Sequence, residues 1–250
     1  MRIVVIGGTG LVGSKLVTKL RTDGHDAIAA APPNVNTLTG EGLAAALSGA
    51  DVVVDVSNSP SFQDSAVLNF FKTSTRNLLD AEAAEGLRHH VALSVVGTQR
   101  LLESGYFRAK MAQEELIRRG QIPYSIVHAT QFFEFVKSIA DEATTGKVVK
   151  LSPALIQPMA ANDVAGEVLR VAVGAPLNDM VEVGGPEQFH LDAFVRQGLA
   201  AKGDPREVVS DTDARYFGVV LGERTLLPEP NAKRAPTRFE EWLAQPVVAK

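Results

Sequence analysis

The sequence predicts a doubly wound α/β fold, a parallel sheet with helices on both faces, and three observations predict it. Short apolar runs occupy residues 3–6, 27–31, 52–56, 91–96 and 125–128. They are near-continuous rather than alternating, the pattern of strands covered on both faces. Segments of helical period lie between them, at 11–20, 41–47, 66–85 and 106–119. Gly24, Gly49, Gly86 and Gly120 stand just past those segments, where a helix ends in a left-handed residue. Strand, helix and strand in that rhythm make right-handed crossovers.

The rhythm changes after about Phe132. A helix is expected over 131–143, then short strands at 148–151 and 157–159. Asn162-Asp163 opens a helix over 164–173, with Asp163 as its cap, and 180–183 reads as a further strand. Gly184-Gly185-Pro186 is a sharp turn, and residues 205–236 are rich in Pro, Gly and charge, so they read as loops. Thr237-Arg238-Phe239-Glu240 has the form of a capping box before a short last helix. The expected organisation is one α/β domain over 1–185, with 131–160 partly shared, and a small substrate lobe over 186–250.

Composition narrows the function. The chain has 250 residues, 45% hydrophobic and 22% charged, with a net charge of −4 and no basic run. Affinity for nucleic acid comes mainly from Lys and Arg on phosphates, so such a partner is not expected. No cysteine is present, which excludes disulfides and thiolate metal sites. No apolar stretch approaches the ~20 residues of a membrane span. The first strand starts at Arg2, leaving no room for a signal peptide. The expectation is a cytoplasmic monomer or homodimer acting on a small molecule. His89-His90 open a strand, where neighbours point to opposite faces, so they are expected to be structural and no metal site is expected.

Gly7-Gly8-Thr9-Gly10-Leu11-Val12-Gly13 follows the first strand and opens the first helix. Gly7, Gly10 and Gly13 give a tight turn, close backbone approach to a pyrophosphate, and close packing of helix on sheet. The N–H groups of the helix start favour an anion. The turn therefore reads as the pyrophosphate seat of a nicotinamide dinucleotide, with Thr9, Leu11 and Val12 as its other contacts. The residue that discriminates the ribose lies ~20 residues further on, at the end of the second strand. That strand ends in Ala29-Ala30-Ala31-Pro32-Pro33-Asn34, with neither an acid for a 2′-hydroxyl nor an Arg for a 2′-phosphate. The choice stays open, with a lean to NADP because no acid repels its phosphate. Ser57 and Asn58 end the third strand, where backbone passes under the adenine-side ribose.

Tyr106 and Lys110 stand four apart on a helix and share a face. A free tyrosine, with a pKa near ~10, exchanges protons poorly at neutral pH, and a neighbouring ammonium lowers that value. Lys110 is also suited to the nicotinamide ribose. Ser94 ends the fourth strand, at the carboxyl edge where ligands bind in this architecture, and can hold a substrate oxygen beside Tyr106. Together they fit hydride transfer coupled to proton transfer. His128, at the carboxyl end of the fifth strand, faces cofactor or substrate. Phe62, Phe132, Phe133 and Met159 are candidates for an apolar pocket, and Val96 lies beside Ser94. Glu114-Glu115 and Arg118-Arg119 read as a solvated helix face.

Several of these segments resemble the NmrA-like, atypical branch of the short-chain dehydrogenase/reductase superfamily. They are the glycine turn, Ser94 with Val95-Val96-Gly97, the run from Tyr106 to Lys110, and Ile122-Pro123-Tyr124-Ser125-Ile126-Val127-His128-Ala129-Thr130-Gln131-Phe132-Phe133. Pro158-Met159-Ala160-Ala161-Asn162-Asp163-Val164-Ala165 resembles a further segment, and the likeness spans roughly residues 1–190. The resemblance implies an NAD(P)-binding Rossmann fold and a Ser94-Tyr106-Lys110 triad. It places Ala129 and Thr130 against the nicotinamide, and Phe132 and Phe133 at the closure of the substrate pocket. Two positions depart from it: His128 stands where relatives often carry Arg, and the second strand lacks the Arg of many NADP-binding relatives. The reading is an oxidoreductase acting on a fairly apolar carbonyl, alcohol or quinone. The alternatives are a non-catalytic dinucleotide sensor and an epimerase or dehydratase.

Overall fold

The structure is a computed structural model and describes residues 1–245. The last five positions of the lobe expected over 186–250 lie outside the described residues. The chain divides into two units, Met1–Ala129 with Val164–Val181, and Thr130–Asp163 with Glu182–Lys250. The breaks between the units fall at Thr130, Val164 and Glu182. The chain returns to the first unit for most of one helix and the start of one strand, then leaves again.

The first unit runs β1 (Arg2–Ile6), α1 (Leu11–Thr22), β2 (Asp26–Ala30), α2 (Leu43–Leu47), β3 (Val52–Asp55), α3 (Asp64–Glu85), β4 (His89–Val95), α4 (Gly105–Arg119) and β5 (Tyr124–Ala129). Most of α6 (Ala161–Val173) and the start of β9 (Asp179–Gly184) complete it. The seven-stranded parallel sheet has the order β14-β9-β5-β4-β3-β1-β2, where β14 is Lys233–Arg234. Strand β9 runs on into the second unit, where Val183 and Gly184 pair with β14. The predicted strands hold because both faces are covered. Ile3, Val4, Val5, Val53, Val54, Val91, Ile126 and Val127 are all fully buried. Each such side chain contributes about 1.5–3 kcal/mol through burial. Val4, Ile6, Ala30 and Val53 pack with Leu43 and Leu47 of α2 and Leu78 of α3. Ala92 and Ile126 pack with Ile117 of α4.

Strand order reverses between β1 and β3, so the chain leaves β1 toward β2 and later returns on the other side. In open sheets of this kind the crevice at that reversal takes the ligand. Gly86 ends α3 with φ +70° as expected, but Gly120 does not follow the rule. It closes α4 at φ −68° in extended backbone, which any residue can adopt.

The second unit runs from a 3-10 turn (Phe133–Phe135) into α5 (Val136–Glu142), β6 (Thr144–Thr145), β7 (Val148–Leu151) and β8 (Leu155–Ile156). It continues with β10 (Phe189–His190), α7 (Leu191–Ala201), β11 (Glu207–Ser210), β12 (Arg215–Tyr216) and β13 (Val219–Val220), then β14 and α8 (Phe239–Leu243). The helix expected over 131–143 is shorter because its first residues are extended. Phe132 bridges Met159, and the Phe133 N–H bonds to the Met159 carbonyl at 2.9 Å. The strand expected at 157–159 falls earlier, at β8. The stretch 205–236 carries four short strands rather than loops alone.

The core of this unit is aromatic. Phe133, Phe194, Phe239 and Trp242 pack with ring centroids 4.5–6.2 Å apart. The expected capping box is displaced by one residue: Arg238 is the N-cap, and its N–H donates to Glu241 Oε2 at 3.2 Å. Asp163 is not a cap either. Helix α6 starts two residues earlier, where the Glu134 carboxylate accepts the Ala161 N–H at 3.0 Å. Asp163 instead accepts the Thr237 N–H at 3.1 Å.

Candidate active site

Three features converge on the carboxyl edge of the first unit's sheet: the glycine turn after β1, the end of β3, and the ends of β4 and β5 with the face of α4.

The turn is built by close approach of backbone to backbone. Gly7 has φ +76°, and a Cβ there would lie 2.9 Å from the Ser57 Cα. At Gly13 a Cβ would fall 2.1 Å from the Gly7 carbonyl oxygen and 2.8 Å from the Gly8 Cα. Gly8 belongs to the same set, and the sequence reasoning missed it: a Cβ there would meet the Ala29 Cα at 2.6 Å. At Gly10 the nearest such atom is 3.3 Å away, and Thr9, Gly10 and Leu11 are exposed. Gly10 caps α1 without a side chain, and the first turn carries no acid. Open N–H groups with no competing carboxylate suit an anionic group such as a pyrophosphate. Gly13→Ala forces backbone to move, and is expected to destabilise the first unit by about 1–3 kcal/mol in thermal unfolding. Ala31 and Ser57 are half-buried and Asn58 is exposed. Between Ala30 and Asn34 no acid faces the end of β2.

Helix α4 places Tyr106 and Lys110 on one side, as predicted, but their surroundings differ from the expectation. The half-buried Tyr106 ring lies 5.6 Å from Phe62, 6.4 Å from Phe71 and 5.5 Å from Phe107. Burial pushes its hydroxyl up to about 12, the reverse of what a neighbouring ammonium alone would do. The Lys110 ammonium is turned inward. It donates to the Leu93 carbonyl at 2.9 Å and to Gln113 Oε1, and it sits 4.4 Å from the Phe71 ring centroid. Burial draws it down to about 8, against the pull of Asp55 and Glu114.

Ser94 and His128 pair in register across β4 and β5. The Ser94 hydroxyl donates to Glu114 Oε1 at 2.6 Å, and His128 Nε2 lies 2.8 Å from the same oxygen. Arg118 reaches Glu114 Oε2 at 2.8 Å. Glu114 is fully buried, so the expectation of a solvated face fails at this position and holds for Glu115 and Arg119. Its spacing from Lys110 was visible, but nothing in the sequence tied it to Ser94. Burial pushes the Glu114 carboxyl up, yet the bonds from His128 and Ser94, with the His128 and Arg118 charges, bring it below the ordinary glutamate value.

The histidine pair lies in the core. His89 Nε2 is 2.9 Å from Ser125 Oγ, and burial lowers its pKa to about 4. His90 Nδ1 is 2.8 Å from Glu82 Oε1. Burial alone would strip His90 of its proton, but the Glu82 carboxylate outweighs it and raises the value.

Of the pocket candidates, Phe62 is 53% exposed beside Tyr106, whereas Val96 is fully buried. In the second unit Phe132 is half-buried and stacks on Phe135 at 5.1 Å. Phe133 and Met159 are fully buried, Phe133 within the aromatic core. Ala129 ends β5 and is buried. Thr130 is held by its N–H to the Val183 carbonyl at 3.1 Å and by its hydroxyl to the Gln157 carbonyl at 2.6 Å.

The model of the NAD(P)H-binding family matches residues 7–172. No curated protein matches the chain by sequence. Solved structures match over nearly its whole length. A nucleoside-diphosphate-sugar epimerase from Staphylococcus aureus is 16% identical, covering 98% of this chain and 100% of its own, with a TM-score of 0.72. A dTDP-4-dehydrorhamnose reductase from Bacillus anthracis, in complex with NADP, is 14% identical over 97% and 96%, with a TM-score of 0.72. An NADPH-dependent quinone oxidoreductase from Escherichia coli is 15% identical over 96% and 98%, with a TM-score of 0.68. At these identities the likeness is one of fold.

Proposed function

The chain belongs to the NAD(P)H-binding family, and from that premise we propose that it is an oxidoreductase of the short-chain type whose Tyr106 gives a proton to a fairly apolar carbonyl or quinone. The observation that carries this reading is Tyr106 itself, half-buried at the start of α4 beside the exposed ring of Phe62. A phenol held at about 12 keeps its proton at neutral pH. That is the form needed to protonate a nascent alkoxide, a far stronger base.

The glycine turn from Gly7 to Gly13 holds the pyrophosphate, Ser57 and Asn58 line the adenine-side ribose, and Ala129 and Thr130 approach the nicotinamide. The bound dinucleotide supplies the hydride. Lys110 holds a positive charge behind Tyr106, its ammonium bonded to the Leu93 carbonyl and to Gln113. Ser94 gives its hydrogen to Glu114, so its oxygen accepts from the hydroxyl of the alcohol, which is the product of reduction and the substrate of oxidation. Phe62 offers its exposed ring to an apolar substrate beside Tyr106. The lack of an acid beyond Ala30 favours NADP, since no carboxylate opposes a 2′-phosphate. No helix among the described residues is long and apolar enough to cross a membrane.

The test is binding of NADPH and NADH followed by fluorescence, then single turnover with a panel of ketones, aromatic aldehydes and quinones. Binding of neither dinucleotide sinks the reading. The pH dependence follows from the two shifted groups. Tyr106 stays protonated up to about 12, and Lys110 loses its charge above about 8. Reduction is expected to be steady near neutral pH and to fall above about 8, while alcohol oxidation, which needs the phenolate, is slower at pH 7 and gains as pH rises. A profile in which oxidation dominates at pH 7 contradicts the proton-donor role.

One observation favours a second reading, a dinucleotide sensor without turnover. The Ser94 hydrogen is committed to Glu114, and burial makes Tyr106 less acidic. Tight binding of a dinucleotide with no turnover across the panel would select it.

A further inference from the structure

The space between α3, α4 and the strands β3 and β4 holds a hydrogen-bonded line that the proposed reaction does not by itself require. Lys110, Gln113 and Asp55 are each at least 97% buried. The Lys110 ammonium donates to Gln113 Oε1, and Gln113 Nε2 donates to Asp55 Oδ2 at 3.0 Å. Asp55 Oδ1 accepts the Ser57 N–H at 2.9 Å and the Ser57 hydroxyl at 2.6 Å. Ser57 in turn lies against the glycine turn, its Cα 2.9 Å from where a Gly7 side chain would begin.

The chemistry of the two ends fixes the orientation of the middle. An ammonium only donates and a carboxylate only accepts, so the Gln113 amide must turn its oxygen to Lys110 and its nitrogen to Asp55. The flipped amide would set N–H against ammonium and oxygen against carboxylate. An amide is the side chain that satisfies both ends without adding a charge. A buried carboxylate and a buried ammonium are costly unless bonded in this way.

We propose that Gln113 and Asp55 are positioning residues that hold the aim and the charge of Lys110 and tie them to the dinucleotide side of the sheet through Ser57. The proposal rests on the reading of Lys110 as part of the reaction machinery, and it extends that machinery to two residues that touch neither substrate nor dinucleotide. Asp55 supplies the attraction that keeps a proton on a lysine which burial would otherwise neutralise. Gln113 passes that attraction on and fixes the direction of the ammonium. The other charged or titratable groups around Lys110 are Glu114 and Tyr106, each one turn away on α4. The pair of Glu82 on α3 with His90 on β4 lies further off, and His128 on β5 is held by Glu114.

The test uses two near-isosteric variants at one position, Gln113→Met and Gln113→Glu. Both lose the donor to Asp55, but they leave Lys110 facing opposite chemistry. Without an acceptor the ammonium is destabilised, and facing a carboxylate it is stabilised. The alkaline limb of the reduction rate is therefore expected to move down by about one pH unit in Gln113→Met and up by about one in Gln113→Glu. Asp55→Asn, which keeps shape and removes charge, is expected to move it down. A merely structural glutamine would move the limb the same way in both variants, or not at all, and either result overturns the proposal.

A second readout needs no turnover. The protein carrying 13Cε-labelled lysine is titrated by NMR, with the Lys110 signal assigned by its loss in Lys110→Arg. The midpoint is expected to shift in the same two opposite directions, and a midpoint unmoved in both variants overturns the proposal. Absence of turnover in the unsubstituted protein counts against the oxidoreductase reading alone, because the lysine titration still decides the relay.

Discussion

Tyr106→Phe is expected to lower the single-turnover rate of carbonyl or quinone reduction by about 10²–10⁴-fold, the range that one positioned proton donor supplies. Dinucleotide affinity should stay within about twofold. The change removes one oxygen and keeps the ring, whose contacts with Phe62, Phe71 and Phe107 are aromatic. Packing is therefore preserved, and thermal unfolding should move little. The glycine turn before α1 is untouched. A fall in rate without a fall in affinity isolates the proton step, because it removes an interaction made only as the product oxygen forms. Activity within threefold of the unsubstituted protein contradicts the assignment of Tyr106.

Glu114→Ala is expected to lower the unfolding free energy by about 3–5 kcal/mol, the cost of breaking a buried ionic group by removing one partner. The carboxylate accepts from Ser94, lies 2.8 Å from His128 Nε2 and bonds Arg118. Its removal strands the Ser94 hydroxyl and the His128 ring, both at most 5% exposed, in a dry layer. Arg118, about a third exposed, can turn to water and mitigates little of that loss. Glu114→Gln keeps an acceptor and should cost less. Denaturant unfolding followed by circular dichroism measures both. A loss under 1 kcal/mol for Glu114→Ala would mean that the network relaxes around the gap. Since small domains are stable by only ~5–15 kcal/mol, the expected loss is a large share of the total.

The parallel strands were legible because a strand covered on both faces has little choice of composition. Val52, Val53 and Val54 are apolar in sequence and buried in the fold. The two-residue strands at 155–156, 189–190 and 215–216 were not legible, since two residues carry no period. Of the site, the glycine turn and the Tyr106–Lys110 spacing were visible because each is local. Glu114 was misread as part of a solvated face. Charge on a helix is normally exposed, and the serine and histidine that draw this one inward lie 20 and 14 residues away on two strands. Gln113 and Asp55 were missed for the same reason: their meaning lies in a partner 58 residues apart, which no spacing rule reports. The raised Tyr106 came from burial, whereas the sequence showed only the lysine.

The second unit is not a tail. The chain enters it at Thr130, leaves it after Asp163 and enters it again at Glu182. Such a unit cannot be acquired or shed by adding or trimming sequence at one end of a gene. Its two pieces, Thr130–Asp163 and the stretch from Glu182 onward, flank a helix and half a strand that belong to the other unit. Exchanging it whole therefore requires exchanging both pieces as a matched pair. A chimaera that transplants the C-terminal stretch alone would inherit Phe194, Phe239 and Trp242 without the Phe133 against which they pack.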